Sequence, residues 1–253
     1  MSWQEEIDVA LGAALEAAAE IRRHYGSNDT VQYKTMYEPV TAADLLADQI
    51  LRETILAHFP EDGWLSEETN DNGERLKKKR AWVVDPLDGT REFIQQIPEF
   101  CVSVALVEDG EPVVAVVVNP ATEDQWTASR GGGTWMNGQR VHVSDIAEKS
   151  QATTAVSRSE IRRGALEHFS DVLNLKPLGG MVSKLVSVAC GQYDATFTCF
   201  QRREWDVATG CLMIAEAGGI VSQLNGKPIR FNQADSIIYG IVATNARLHD
   251  AVL

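Results

Sequence analysis

The sequence predicts an α+β fold of helices packed on largely antiparallel sheets, and three observations carry that expectation. Segments of helical period stand at the start of the chain and again near 41–58, 180–191 and 205–217. Apolar runs rich in β-branched residues lie between them, several joined by short turns that contain glycine. The pattern restarts near residue 150, so residues 1–253 are expected to form one domain with two tightly packed lobes, about 1–150 and 151–253.

Composition narrows the function. With 44% hydrophobic and 23% charged residues the chain reads as an ordinary globular protein with a sizeable core. A net charge of −13 argues against a nucleic-acid coat protein. It leaves room for a small anionic ligand, because carboxylates clustered around divalent cations make a locally positive site. No apolar run approaches the roughly 18 residues that span a bilayer. The acidic start Met1-Ser2-Trp3-Gln4-Glu5-Glu6 lacks the pattern of a signal peptide, so a cytoplasmic location without a membrane partner is expected. Cys101, Cys190, Cys199 and Cys211 are widely spaced and mostly within apolar runs, which reads as buried reduced thiols.

Ile7, Leu11, Ala14, Leu15, Ala18 and Ile21 fall at helical spacing, and Gly26-Ser27-Asn28-Asp29 ends that first helix. Residues 31–38 read as a short extended piece or loop, with Lys34 as a solvated lysine. Thr41 is a natural N-cap for a helix to about His58, and Asp44 in its first turn is favoured by the helix dipole alone. Asp48, one turn on, would extend an acidic stripe. Trp64-Leu65-Ser66 approaches Glu67 and Glu68 as a short strand delivering an acid to a sheet edge. The run Arg75-Leu76-Lys77-Lys78-Lys79-Arg80 reads as a solvated loop.

Trp82-Val83-Val84 then forms a buried strand that stops at Asp85-Pro86-Leu87-Asp88-Gly89-Thr90. Two carboxylates three residues apart at a strand end can converge beyond the sheet, and hard oxygen ligands so placed suit Mg²⁺. An ordinary strand-to-turn exit would also use these residues. Residues 100–107 and 112–118 form a hairpin, Gln125–Ala128 a third strand, and the Gly131-Gly132-Gly133 triplet more hairpin turns rather than a phosphate loop. The second lobe is expected to hold a strand to Val156 and a helix over 160–169. A helix opened by Gly179-Gly180, a strand over 194–200, a helix from Trp205-Asp206 to Gly218-Gly219, and a strand over 237–243 follow.

The ordered motifs Ser66-Glu67-Glu68, Asp85-Pro86-Leu87-Asp88-Gly89-Thr90, Trp205-Asp206-Val207-Ala208-Thr209-Gly210 and Glu216-Ala217-Gly218-Gly219 resemble the inositol monophosphatase superfamily of lithium-sensitive magnesium phosphatases. The likeness runs from Pro39 to about Ala243. It implies a layered αβαβα sandwich of the sugar-phosphatase type, a phosphoric monoester hydrolase, and a homodimer. It also implies two or three Mg²⁺ ions. Glu67, Asp85 and the Leu87 carbonyl would hold the first, and Asp85, Asp88 and Asp206 the second. A weaker third would sit at Glu67. Asp44 and Thr90 match the pair that orients and deprotonates water, with Glu67 beside them, and the Gly89 and Thr90 amides would meet the phosphate.

The substrate rests on finer features. Arg91-Glu92-Phe93, Ser157-Arg158-Ser159 and Lys184 resemble 3′(2′),5′-bisphosphate nucleotidases, with Arg158 and Lys184 placed for a second phosphate. On that reading the enzyme removes the 3′-phosphate of adenosine 3′,5′-bisphosphate. Gly180-Met181-Val182-Ser183 lacks the nucleotidase serine pair, and Asn137–Ser144 resembles inositol phosphatases. An inositol monophosphatase, or another small sugar or alcohol phosphatase such as one for histidinol phosphate, is the alternative. A non-catalytic metal-dependent binding protein is the alternative of another class.

Overall fold

The structure is a computed structural model that describes residues 3–27, 31–35 and 38–253, with the side chains of 33–38 set aside. The sequence readings of Asn28-Asp29 and of the Lys34 side chain lie outside the described residues. Helix α1 (Gln4–His24), the short pair β1 (Gln32–Thr35) and β2 (Glu38–Val40), and α2 (Ala42–His58) open the chain. The Thr41 side chain and backbone both bond Asp44 in a capping box, an arrangement worth about 1 kcal/mol to the start of α2.

A seven-stranded sheet follows in simple spatial order. Its strands are β3 (Gly63–Ser66), β4 (Arg80–Asp88), β5 (Cys101–Glu108), β6 (Glu111–Val118), β7 (Gln125–Ser129), β8 (Gly133–Met136) and β9 (Gln139–Val141), with α3 (Thr90–Ile94) after β4. Only β3 and β4 run parallel; each later neighbour is antiparallel. Side chains alternate across the sheet, so Trp82, Val84, Val104 and Val116 meet α1 and α2 while Val83, Ala105 and Val117 meet the opposite layer. Both faces are covered, which is why β4–β6 read as continuous apolar runs.

The second sheet has the order β11-β10-β12-β14-β13. It comprises β10 (Thr153–Val156), β11 (Asn174–Pro177), β12 (Ala195–Arg203), β13 (Gly219–Ser222) and β14 (Ile237–Asn245). Between them in the chain come α4 (Arg158–Arg162), α5 (Met181–Ala189) and α6 (Ala208–Glu216), and α7 (His249–Val252) follows β14. Helices α5 and α6 fill the space between the two sheets, and Leu185, Val188, Met213 and Ile214 bury against both. At Gly210 a Cβ would lie 2.4 Å from Leu185, so α6 lies against α5 only because that position carries no side chain. The outer face of the second sheet is closed by Val156, Leu166, Phe169 and Phe197. The layers run helix, sheet, helix, sheet, helix, the α+β sandwich that the sequence predicts.

Several local expectations change. The helix expected over 160–169 is only α4 followed by a 3₁₀ turn at Glu167–Phe169, because Gly164 at φ +69° leaves the helical region. Strand β11 and helix α7 were not read from the sequence. The basic run is not uniformly solvated: Arg75 is 2% exposed, and Arg80 is half-buried between Asp62 and Glu6. Cys101 is buried as expected, whereas Cys199 is exposed, and all four thiols are free. No helix among the described residues is long and apolar enough to cross a membrane.

Candidate active site

The site begins at an irregularity in β4. Residues three apart on a regular strand project to opposite faces, so Asp85 and Asp88 would diverge. Asp85 faces Ser103 and Asp88 faces Cys101, so three steps on β4 match two on β5. The extra residue is a β-bulge at Pro86-Leu87 that turns both carboxylates into one cleft, and it is a place where a strand tolerates proline. The Asp85 carboxylate accepts the Leu87 amide at 3.0 Å, which fixes the turn. Gly89 continues it at φ +93° and leads into α3.

Glu67 stands at the exit of β3, beside β4, where its amide donates to the Val84 carbonyl at 3.2 Å. Asp48 holds that exit from α2 by accepting the Ser66 hydroxyl at 2.5 Å and the Thr69 hydroxyl at 2.6 Å. Its role in the structure is to tie two elements together rather than to extend a stripe. Asp206 arrives after β12 in a 3₁₀ turn at Glu204–Asp206, where it accepts the Arg203 amide at 2.8 Å. One oxygen each from Glu67, Asp85 and Asp206 lies within 4.8 Å of the others. Three hard oxygen donors converging in this way could hold a divalent cation.

Electrostatics explains why the cluster calls for one. Burial pushes the Asp85 carboxyl well above the usual carboxylate range, and the charges of Glu67, Asp88 and Asp206 push it further. Burial, then Glu67, takes Asp206 up to about 7. Without a cation these acids repel one another in a low-dielectric setting.

Asp88 is bound differently. Its two oxygens accept the Met181 amide at 2.9 Å and the Val182 amide at 2.8 Å, so it ties the end of β4 to the start of α5. It lines the same cleft but is not one of the three clustered acids. Two of the roughly four lone pairs of its carboxylate are spent on amides. Lys184 is 3% exposed and lines the cleft, with its ammonium donating to the Gly180 carbonyl. Burial brings its amine down to about 8 against the pull of Asp88.

Thr90 and Asp44 meet, the hydroxyl donating to Asp44 Oδ1 at 3.1 Å. The same hydroxyl lies 3.2 Å from the Leu87 carbonyl, which joins the pair to the bulge. Arg158 does not line the cleft. Its guanidinium pairs with both oxygens of Glu99, which also accepts the Gly179 amide, so this charge is taken up by Glu99 rather than offered to the cleft. Arg162 and Arg202 line the cleft instead, together with Ser157 and Ser159. The sequence reading did not single out either arginine. Position alone gave no signal for them, although Arg202 lies only four residues before Asp206.

The cleft encloses about 260 Å³, room for a small ester but not a large ligand. A model of the inositol monophosphatase family matches residues 2–253 of the chain. The inositol-1-monophosphatase of Rhizobium meliloti (strain 1021) is 36% identical over 252 residues, covering 92% of this chain and 91% of that one. A Thermotoga maritima protein named fructose-1,6-bisphosphatase/inositol-1-monophosphatase is 30% identical, covering 91% and 87%. Among solved structures, the extragenic suppressor protein suhB from Bartonella henselae superposes with a TM-score of 0.87 at 28% identity, over 98% of this chain and 96% of that one.

Proposed function

From the premise that this chain belongs to the inositol monophosphatase family, we propose that its cleft hydrolyses the phosphate ester of a small polyol, with inositol 1-phosphate as the reference substrate. The chain is a phosphoric monoester hydrolase, as the family is, and the non-catalytic alternative gives way to that. The single observation that carries the proposal is the three-acid cluster of Glu67, Asp85 and Asp206 in one cleft with the Thr90 hydroxyl that bonds Asp44.

The preference for adenosine 3′,5′-bisphosphate is corrected. The Rhizobium meliloti relative is named an inositol-1-monophosphatase and a Solanum lycopersicum relative an inositol monophosphatase, and no aromatic ring lines the cleft among the described residues to stack on an adenine. Phe93, part of the tail that suggested a nucleotidase, is 5% exposed and packs edge-on against Phe100 at 5.3 Å. It is a core residue, so it gives no information about the substrate.

The donor set fits magnesium: Glu67, Asp85, Asp206 and the Leu87 carbonyl would hold one ion, and Asp88 would join Asp85 and Asp206 for a second. Bound there, magnesium would neutralise the dianionic ester and acidify a water. The protein's own residues do the rest. Thr90 gives its hydrogen to Asp44 Oδ1, which leaves its oxygen free to accept from a water and aim it at phosphorus. The water's proton passes to Thr90 Oγ1 as the Thr90 proton moves to Asp44. The water oxygen bonds to phosphorus, and the ester bond opposite it breaks in line, the departing alcohol oxygen taking a proton from a solvent water. The Gly89 and Thr90 amides at the start of α3 face the phosphate oxygens, and Asp206 holds the far side of the site.

Phosphate release is measured with inositol 1-phosphate, histidinol phosphate and adenosine 3′,5′-bisphosphate, each with Mg²⁺, with EDTA and with added Li⁺. Mg²⁺-dependent, Li⁺-inhibited turnover of the inositol ester is expected. Faster turnover of the nucleotide than of both alcohol phosphates would overturn the substrate assignment. The expected homodimer is checked by light scattering, which should read twice 27.8 kDa.

A further inference from the structure

The wall of the cleft contributed by the second lobe is polar and cationic. It presents the hydroxyls of Ser157 and Ser159, which bond each other at 2.8 Å, and the guanidinium groups of Arg162 and Arg202. A neutral polyol needs hydroxyl and carboxylate partners, not two arginines. Arg162 is exposed and makes no hydrogen bond or ion pair among the described residues, so its charge is free to face the cleft.

Arg202 is fixed in place. It stands near the end of β12, and Glu160, 2% exposed, accepts its Nη2 at 2.7 Å. The Thr198 hydroxyl donates to the same Glu160 oxygen at 2.7 Å, which holds the carboxylate still. Nη1 donates to the Gln201 carbonyl at 3.1 Å. A guanidinium carries five N–H donors, so three remain unspent, and Nε is buried without a partner. Glu160 Oε1 is engaged by Arg202 and Thr198, and Asp88 draws on Lys184, so among the described residues Arg162 is a cation on this wall with no ion-pair partner.

We propose that Arg162 and Arg202 form a second anion subsite, and that the preferred substrate carries a second anionic group, a phosphate or a carboxylate, on its alcohol portion. This rests on the phosphomonoesterase reading of the same cleft. The scissile phosphate sits at the acid cluster, and the second anion lies against the opposite wall, where planar guanidinium groups donate to either oxyanion in a forked geometry. Glu160 is a positioning residue: it touches no substrate and aims Arg202.

The test uses matched pairs that differ by one anion. Glucose 6-phosphate is compared with 6-phosphogluconate for the carboxylate, and fructose 1-phosphate with fructose 1,6-bisphosphate for the phosphate. In the wild-type protein with Mg²⁺, kcat/KM is expected to favour one doubly anionic member by roughly tenfold or more, and which pair does so identifies the anion. The ratio within that pair should fall several-fold in Arg162→Ala, an exposed substitution that leaves packing intact, and also in Arg202→Met. It should fall in Glu160→Gln by a smaller factor. A ratio near one in the wild type, or one unchanged in both arginine variants, overturns the subsite. If no ester is hydrolysed, the phosphatase substrate reading fails by itself. The affinity difference within each pair, measured by calorimetry with Mg²⁺ present, then decides the subsite by the same criterion.

Discussion

Thr90 donates its hydroxyl to Asp44 across 46 residues of sequence, and Asp44 is at the same time the capping residue that starts α2. One carboxylate therefore joins a helix terminus to the proposed water site: Oδ2 accepts from Thr41, which leaves Oδ1 to Thr90. Asp44 is 2% exposed, so its direction is set before any substrate arrives. Asp44→Asn and Thr90→Val are each expected to lower kcat by about 10²–10⁴ with little change in the Mg²⁺ requirement. The double variant should lose scarcely more than either single one, because the two residues move one proton together. Steady-state kinetics of the three variants checks this, and independent, multiplying losses would contradict it. Asp44→Asn also weakens the capping box, so its melting temperature should fall while that of Thr90→Val barely moves.

Asp85 stands between Glu67, Asp88 and Asp206, all of which raise its pKa along with burial. The Asp85→Asn substitution removes one of these mutually repelling charges and keeps an oxygen for the Leu87 amide. The metal-free variant is expected to melt higher than the metal-free wild type, yet to gain nothing from Mg²⁺ and to show no turnover. Differential scanning calorimetry with EDTA and with Mg²⁺ reads both effects. A variant that Mg²⁺ still stabilises would remove Asp85 from the ion site.

The acid cluster also sets a pH dependence. An unfolded aspartate titrates near 3.9, whereas Asp206 in the fold titrates at about 7, raised first by burial and then by Glu67. Between those values the folded state holds a proton that the unfolded state has released, so metal-free stability falls as pH rises from about 4 to 7. The buried Asp85 shifts in the same direction and adds to the fall. Mg²⁺ competes with these protons, so its affinity should rise over the same range. Melting curves at pH 5, 6, 7 and 8 with EDTA, and Mg²⁺ titrations at the same values, test the sign. Metal-free stability that climbs between pH 5 and 7 would refute it.

The sequence revealed some parts of this site far more readily than others. Asp85 and Asp88 stood out because a buried strand rarely ends in two acids. That they share a face depends on the bulge at Pro86-Leu87, which replaces strict alternation and has no local sequence code beyond the proline. Asp206 joins them from more than a hundred residues away, so only the motif resemblance brought it in. Arg158 misled because a basic residue in a motif shows its charge but not its partner. Glu99, which consumes that charge, lies outside every motif. The layers of the fold were legible from period and burial, since both faces of the first sheet are covered. Strand β11 was not, because Asn174–Pro177 is exposed and polar on an edge and has no apolar alternation to read.

Arg75 is the residue whose role the sequence hid most completely. It belongs to a basic run that looks solvated, yet its guanidinium is buried and bonds Asp71, the Asn232 side chain at 2.7 Å and the Gln233 carbonyl at 2.8 Å. The amides of Asn232 and Gln233 donate in turn to Glu204, at 2.6 and 2.9 Å. Glu204 opens the 3₁₀ turn that carries Asp206. A chain of hydrogen bonds therefore runs from the segment between β3 and β4 to the turn that carries Asp206. Replacing Arg75 by methionine keeps its volume but leaves Asp71, Asn232 and a carbonyl without their donor. A loss of about 1–3 kcal/mol is expected, the usual consequence of leaving buried polar groups without their partner. If the chain of bonds also aims Asp206, half-saturation by Mg²⁺ should rise several-fold while kcat at saturating Mg²⁺ stays near the wild-type value. Urea unfolding measures the first effect and a Mg²⁺ titration of activity the second. A destabilised variant with unchanged Mg²⁺ dependence would limit Arg75 to holding the lobes together.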